Sequence, residues 1–214
     1  MMGKIRSERS SRLGRALLAD IEGLAAIEMA LILPIALLLM SLIVYGGQLY
    51  TLQRKVTMSA TTVANLLAQG NNNGQATITA AEITQILAYP SLILYPYNGS
   101  GVEVVASQLL VTANANGTAT GTVCASWPNA NGTARPTGQQ MSVDPSLASA
   151  FSGSTTNNNS VCGSVPANSV PSNYVILGEV YYPFQPTIIY FAVGPITLQD
   201  SIMMIPRTNA QITV

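Results

Sequence analysis

From Met29 to Gly47 the chain runs MALILPIALLLMSLIVYGG, nineteen residues without a charge. A helix of that length measures about 28 Å at 1.5 Å per residue, close to the roughly 30 Å thickness of a bilayer's hydrocarbon core. Pro34 sits near its start, where it would bend a membrane helix without preventing it. Five of the nine basic residues precede this run, Lys4, Arg6, Arg9, Arg12 and Arg15. A retained transmembrane anchor accounts for the pattern better than a cleaved secretory signal. The apolar stretch exceeds the usual 7–15 residues, and no small-x-small cleavage site follows before Gln48-Leu49-Tyr50. The basic head keeps the N-terminus cytoplasmic and sends the C-terminal part across, since Arg54 and Lys55 on the far side do not outweigh five.

Composition supports a membrane or assembly role. Only 8% of the 214 residues are charged, against roughly 25% in an average soluble domain. Residues 1–23 carry five basic and three acidic groups, and residues 24–214 carry four and six, so the formal charge of zero sums a +2 leader and a −2 remainder. Nothing here could neutralise a run of phosphates, which argues against nucleic acid as a partner. The chain has no histidine. That removes Ser-His-Asp and Cys-His catalysis and every His-containing zinc site. Serine–lysine chemistry would have to use Lys55, at the membrane surface. The expectation is a non-enzyme without a cofactor or metal.

Glu28 lies at the edge of the apolar run, five residues after Gly23. In the first turn of a helix a carboxylate is favoured by the dipole, whereas at the bilayer centre it costs about 2.5–3.5 kcal/mol. On spacing alone both placements stay open.

The string Gly23-Leu24-Ala25-Ala26-Ile27-Glu28, behind a basic leader and ahead of an apolar helix, resembles a type IVb prepilin cleavage site. The longer stretch IEGLAAIEMALILPIALLLMSLIVYGGQLY resembles the N-terminus of TadE/TadG-like proteins, minor pseudopilins of the tight-adherence (Flp) pilus systems. VILGEVYYPFQPTIIYF and TLQDSIMMIPR near the C-terminus are similar to that family's closing strands, although Met203-Met204-Ile205-Pro206-Arg207 lacks the first Arg of the usual ending. The likeness covers about fifty residues at the front and thirty-five at the back. It implies cleavage after Gly23 by a prepilin peptidase, with Leu24 as the new first residue. It also implies a role for Glu28 in pairing with the terminal amine of a neighbouring subunit, and as partners the inner membrane, other pilin or pseudopilin subunits and the assembly platform. An amine and a carboxylate in low dielectric attract strongly, and each relieves the other's burial cost. The alternative is an unprocessed, membrane-anchored exported binding domain with no filament role.

Beyond the anchor, Leu49, Leu52, Val56, Ala60, Val63, Ala64 and Leu67 recur at helical spacing, predicting that the helix continues to about Gln69 and ends at Gly70. The residues thus divide into a leader 1–23, a helix 24–69 of roughly 69 Å, and an exported domain 70–214. The outer half of the helix must bury one face, against the domain's own sheet or in a coiled coil. The lack of e/g charge pairs weakens the second option. Thr79-Ala80-Ala81-Glu82 is a capping box for a short helix to about Ala88. Val102–Val111 and Ala119–Trp127 read as a hairpin, and Tyr174–Tyr182 and Ile196–Ile205 as closing strands. The predicted class is α+β with a small antiparallel sheet of about four strands.

From 128 to 173, 24 of 46 residues are Gly, Ser, Thr or Asn, which is loop composition. Cys124 lies in the second hairpin strand and Cys162 in this loop. Two cysteines in an exported, oxidising compartment favour a disulfide over free thiols, and closing that loop would contribute about 4 kcal/mol in the chain-entropy model. The wider pilin class, with its disulfide-closed C-terminal loops, points the same way. Asn-x-Ser/Thr matches at Asn98, Asn116, Asn131 and Asn158 read as turn chemistry more than glycosylation. Tyr174, Tyr181, Tyr182 and Tyr190 fit a half-buried strand better than an adhesive surface.

Overall fold

The computed structural model describes residues 21–70, 77–114, 116–144, 146, 162, 174–185, 194–207 and 212. Tyr190, Asn158 and most of the 128–173 stretch beyond Asp144 lie outside these residues. The chain divides into two compact units, Met1–Leu49 and Tyr50–Val214.

Helix α1 (Ile21–Gln69) is continuous through Pro34. Its hydroxyls are satisfied internally: Ser41, Ser59, Thr61 and Thr62 each donate to the carbonyl four residues back, a bond that lets polar side chains sit in a helix without seeking water. The first part is all but bare, with Leu31 67% and Ile43 76% exposed. In the second unit the same helix buries Leu52, Val56, Ala60, Val63, Ala64 and Leu67, a single stripe at three- and four-residue spacing. It ends where Gly70, at φ +25°, donates its N–H to the Leu67 carbonyl.

Helix α2 (Ala80–Ile93) opens on the expected capping box. Thr79 Oγ1 accepts from the Glu82 N–H, and the Glu82 carboxylate accepts from the Thr79 N–H at 2.8 Å, holding the Glu82 carboxyl below its ordinary value. The helix runs five residues past Ala88 and includes Pro90. Near its end Pro90 O accepts from Leu94 N and Leu92 O from Tyr95 N, and a residue of α1 takes the next carbonyl: Lys55 Nζ donates to Ile93 O at 3.1 Å and to Tyr95 O just beyond the helix. That tertiary contact carries α2 beyond the end its own sequence marks.

Five antiparallel strands follow, β1 (Glu103–Ala113), β2 (Ala119–Pro128), β3 (Gln140–Val143), β4 (Tyr174–Phe184) and β5 (Ile196–Met204), in the order β3-β2-β1-β4-β5. The hairpin and both closing strands stand where the sequence places them. The expectation of about four strands falls short by one. β3 is four residues inside the stretch read as loop, too short and too polar to show alternation, and it forms because β2 offers it an open edge.

The start of the same stretch is also ordered. Asn129 Oδ1 accepts from Val104 N at 3.0 Å and Gly132 N at 2.9 Å, its amide donates to Val102 O, and Asn131 donates to Ser100 O at 2.7 Å. Asn98 caps the 3-10 turn Gly99–Gly101, and Asn116 and Gly117 (φ +78°) make the β1–β2 turn. These asparagines serve turns, as their Asn-Gly pairing implies.

Both faces of the sheet are covered at its centre. β4 has seven consecutive buried residues, Tyr174 to Val180, so it lacks the alternation of a half-exposed strand. One face meets α1: a Cβ on Gly178 would lie 2.9 Å from Ala60 O and 3.1 Å from Ala64 Cβ, so backbone packs on backbone there. Asp200 accepts a hydrogen bond from Thr57, and Gln53 donates to Gln199 O, tying β5 to the same helix. On the other face Leu109, Val123 and Leu177 pack with Met141 and Met203. Gly178→Ala should therefore destabilise the full chain in detergent by about 1–3 kcal/mol, the cost of overpacking a tight contact. Thermal unfolding checks this, and an unchanged Tm would mean that the helix can shift away freely.

Candidate functional site

The residues singled out for processing share one element. Gly23 and Leu24 lie within α1, which is described from Ile21, and Glu28 follows Leu24 by four residues, about one helical turn. Glu28 is exposed, at the head of a helix long and apolar enough to cross a membrane and covered by nothing in its most apolar window. A carboxylate in that position keeps its charge at low cost only near headgroups or beside a cation.

The two cysteines are brought together by the other unit. Cys124 and Cys162 are bonded with their Cα atoms 4.9 Å apart. Cys124 sits in a bulge: Gln108 pairs with Ala125 and Leu109 with Val123, leaving Cys124 as the extra residue of β2.

A buried charge cluster escaped the sequence reading. Glu179 is 4% exposed on β4, and Arg135 grips it with two parallel bonds, Nε to Oε2 and Nη2 to Oε1, both 2.6 Å. Tyr181 Oη donates to Oε1 at 3.0 Å, and Arg135 N donates to Ser126 Oγ at 3.0 Å, which fastens the 129–139 segment over the sheet. The hydrogen bond to Glu179 raises the Arg135 guanidinium above its ordinary value. Burial first, then the Glu179 charge, pushes the Tyr181 hydroxyl up, while burial raises Tyr174 and Tyr182. The signal was present: Glu179 is the lone charge in an apolar strand, and Arg135 one of two charges among 46 residues. A lone charge in an apolar strand calls for an opposite one.

Among the described residues no three of Cys, Asp or Glu gather as a metal site would require. The cluster instead has the geometry of a fastening, with every carboxylate oxygen engaged. Comparison with family models, with curated proteins and with solved structures finds no match.

Arg135→Ala strands the Glu179 carboxylate. The expected loss is about 2–3 kcal/mol, below the about 3–5 of a fully buried pair because Arg135 keeps some solvent contact. Adding Glu179→Gln should recover part of it, as denaturant unfolding would report. The raised tyrosines set a pH dependence. Their folded values exceed the ordinary 10.0, so their contribution is intact below that pH and is lost as pH rises through the folded values. Phenolate absorbance should show part of the nine tyrosines ionising late in the folded chain and all together in denaturant.

Proposed function

We propose that the chain is a pseudopilin-like structural subunit of a tight-adherence pilus or a related secretion machinery. It is cut after Gly23 by a prepilin peptidase, held in the inner membrane by the apolar part of α1, and carries its α+β unit on the exported side. The observation that supports this most is the double use of one helix. Its first part exposes a continuous apolar surface, and its second part is the core element of an antiparallel sheet domain. Such a helix anchors the domain and leaves its apolar part free to pack with others of its kind. A disulfide in the domain is in keeping with an oxidising compartment.

The chemistry of assembly rests on Glu28 and the amine that cleavage creates. Leu24 and Glu28 lie one turn apart, so within one subunit the pair flanks a single helical face. Between subunits shifted along their axes, an amine of one can meet the carboxylate of the next, and each charge removes the other's penalty in hydrocarbon. Loss of the leader also removes five basic residues, whose charge would otherwise hold the helix at the cytoplasmic surface.

The membrane-extracted protein from cells containing the peptidase should begin at Leu24, and Gly23→Val should block the cut. An intact mass of all 214 residues there would eliminate this reading in favour of an unprocessed anchored domain. Glu28→Ala should leave cleavage largely intact yet reduce incorporation or piliation. Unchanged piliation would return Glu28 to a dipole-stabilising role at the helix start.

A further inference from the structure

The edge of the exported unit at which the chain enters carries an exposed aromatic and apolar rim. Several contacts define that edge. β5 runs along α1 in the same direction, since Gln53 meets Gln199, Thr57 meets Asp200, and Arg207 N donates to Ala68 O at 3.0 Å. The start of β5 therefore lies at the Tyr50 end of the helix, and Ile196, three residues before Gln199, lies there too. The C-terminal turn of α2 is held at the same end. Lys55 bonds to Ile93 O and Tyr95 O, and its ammonium stands 5.8 Å from the Tyr97 ring centroid.

The side chains at this edge are large and open. Tyr95 is 76% exposed, Leu92 70% and Tyr50 67%, with Tyr89 and Ile196 also exposed. Lys55 is turned inward to the carbonyls, so the apolar groups around it face solvent without a cation among them; Arg54 is exposed on the neighbouring helical position. Glu103 is exposed at the start of β1, in register with Tyr181 and, through it, Gln199. The charges at the rim are therefore mixed, and its apolar groups dominate. The connection 185–195 between β4 and β5 is uncharged in sequence.

We propose that this rim, Tyr50, Tyr89, Leu92, Tyr95 and Ile196, is a second membrane contact, seated in the headgroup region of the bilayer that the chain's own apolar helix enters. The inference rests on the membrane reading of residues 29–47. Tyrosine suits such a place because its ring is apolar and its hydroxyl stays wet. The chain reaches Tyr50 directly from the uncharged run, only three residues after Gly47, so the rim opens where headgroups would begin. Seating α2 on the lipid would fix the tilt and rotation of the exported unit at the membrane, which a single helix leaves unset.

Single-tryptophan reporters test this in the full chain. In a Trp127→Phe background, Leu38→Trp, Tyr95→Trp, Leu92→Trp and Thr112→Trp would each be reconstituted in vesicles of phosphatidylcholine and phosphatidylglycerol with brominated acyl chains. Tryptophan at 95 or 92 should shift to the blue and lose about half its emission, as an interfacial ring would, whereas the one at 112 should be unaffected. The reporter at 38 should be quenched most. Quenching at 38 without quenching at 95 or 92 overturns this inference alone. No quenching at 38 overturns the membrane reading and this inference with it. A blue shift at 95 that is not quenched by bromine and grows with the protein-to-lipid ratio assigns the rim to a second copy of the chain, which also overturns the lipid contact.

Discussion

The approach of α1 to β4 at Gly178 sets the geometry of the unit Tyr50–Val214. With no side chain on Gly178 and only methyl groups on Ala60 and Ala64, helix and strand meet backbone to backbone. Around that contact the helix inserts Leu52, Val56, Val63 and Leu67 as a continuous stripe, and each is fully buried. Bonds from Thr57 to Asp200 and from Arg207 N to Ala68 O then align β5 along the helix. Every strand added outward from β4 inherits this placement, because its register is determined by the strand before it.

Polar fastenings complete what apolar burial begins. A strand buried on both faces, as β4 is, cannot be aligned by an inside–outside pattern alone, since a one-residue slip would leave it nearly as buried as before. Arg135 with Glu179, Asn129 with the start of β1, and Lys55 with the end of α2 each satisfy specific groups in one arrangement only. With its amide oriented to suit the atoms it faces, Gln108 pairs in the same manner with both backbone groups of Ile212. A misaligned strand would strand these groups in the interior, which costs far more than the bonds contribute when made. In a chain with so few charges, each buried one acts as a register pin.

The local features were legible because they depend on near neighbours. The capping box at Thr79–Glu82, the Asn-Gly turns and the hairpin strands all involve residues a few positions apart, and a periodic stripe declares a helix face wherever it packs. The edge strand Gln140–Val143 and the extension of α2 to Ile93 were not legible. The first needs the open edge of β2 and the second needs Lys55, thirty-eight residues earlier in the chain. Arg135 and Glu179 could be noticed as lone charges, but only the sheet brings them within 2.6 Å.

By itself, then, the sequence determined an α+β chain with a long apolar helix, and it singled out Gly23, Leu24, Glu28 and the two cysteines. The class and the helix follow from composition and periodicity, the cysteines and Glu28 from their places along the chain, and Gly23 and Leu24 from the resemblance to a prepilin cleavage site, none of which needs a partner from elsewhere in the chain. Tertiary structure alone decided the five-strand order, the burial of both sheet faces, the bulge that presents Cys124 and the gathering of Tyr50, Leu92, Tyr95 and Ile196 at one edge. Each of these joins residues tens to more than a hundred positions apart, and their meeting depends on how closely helix and sheet can approach, a distance set by packing and not by any local pattern.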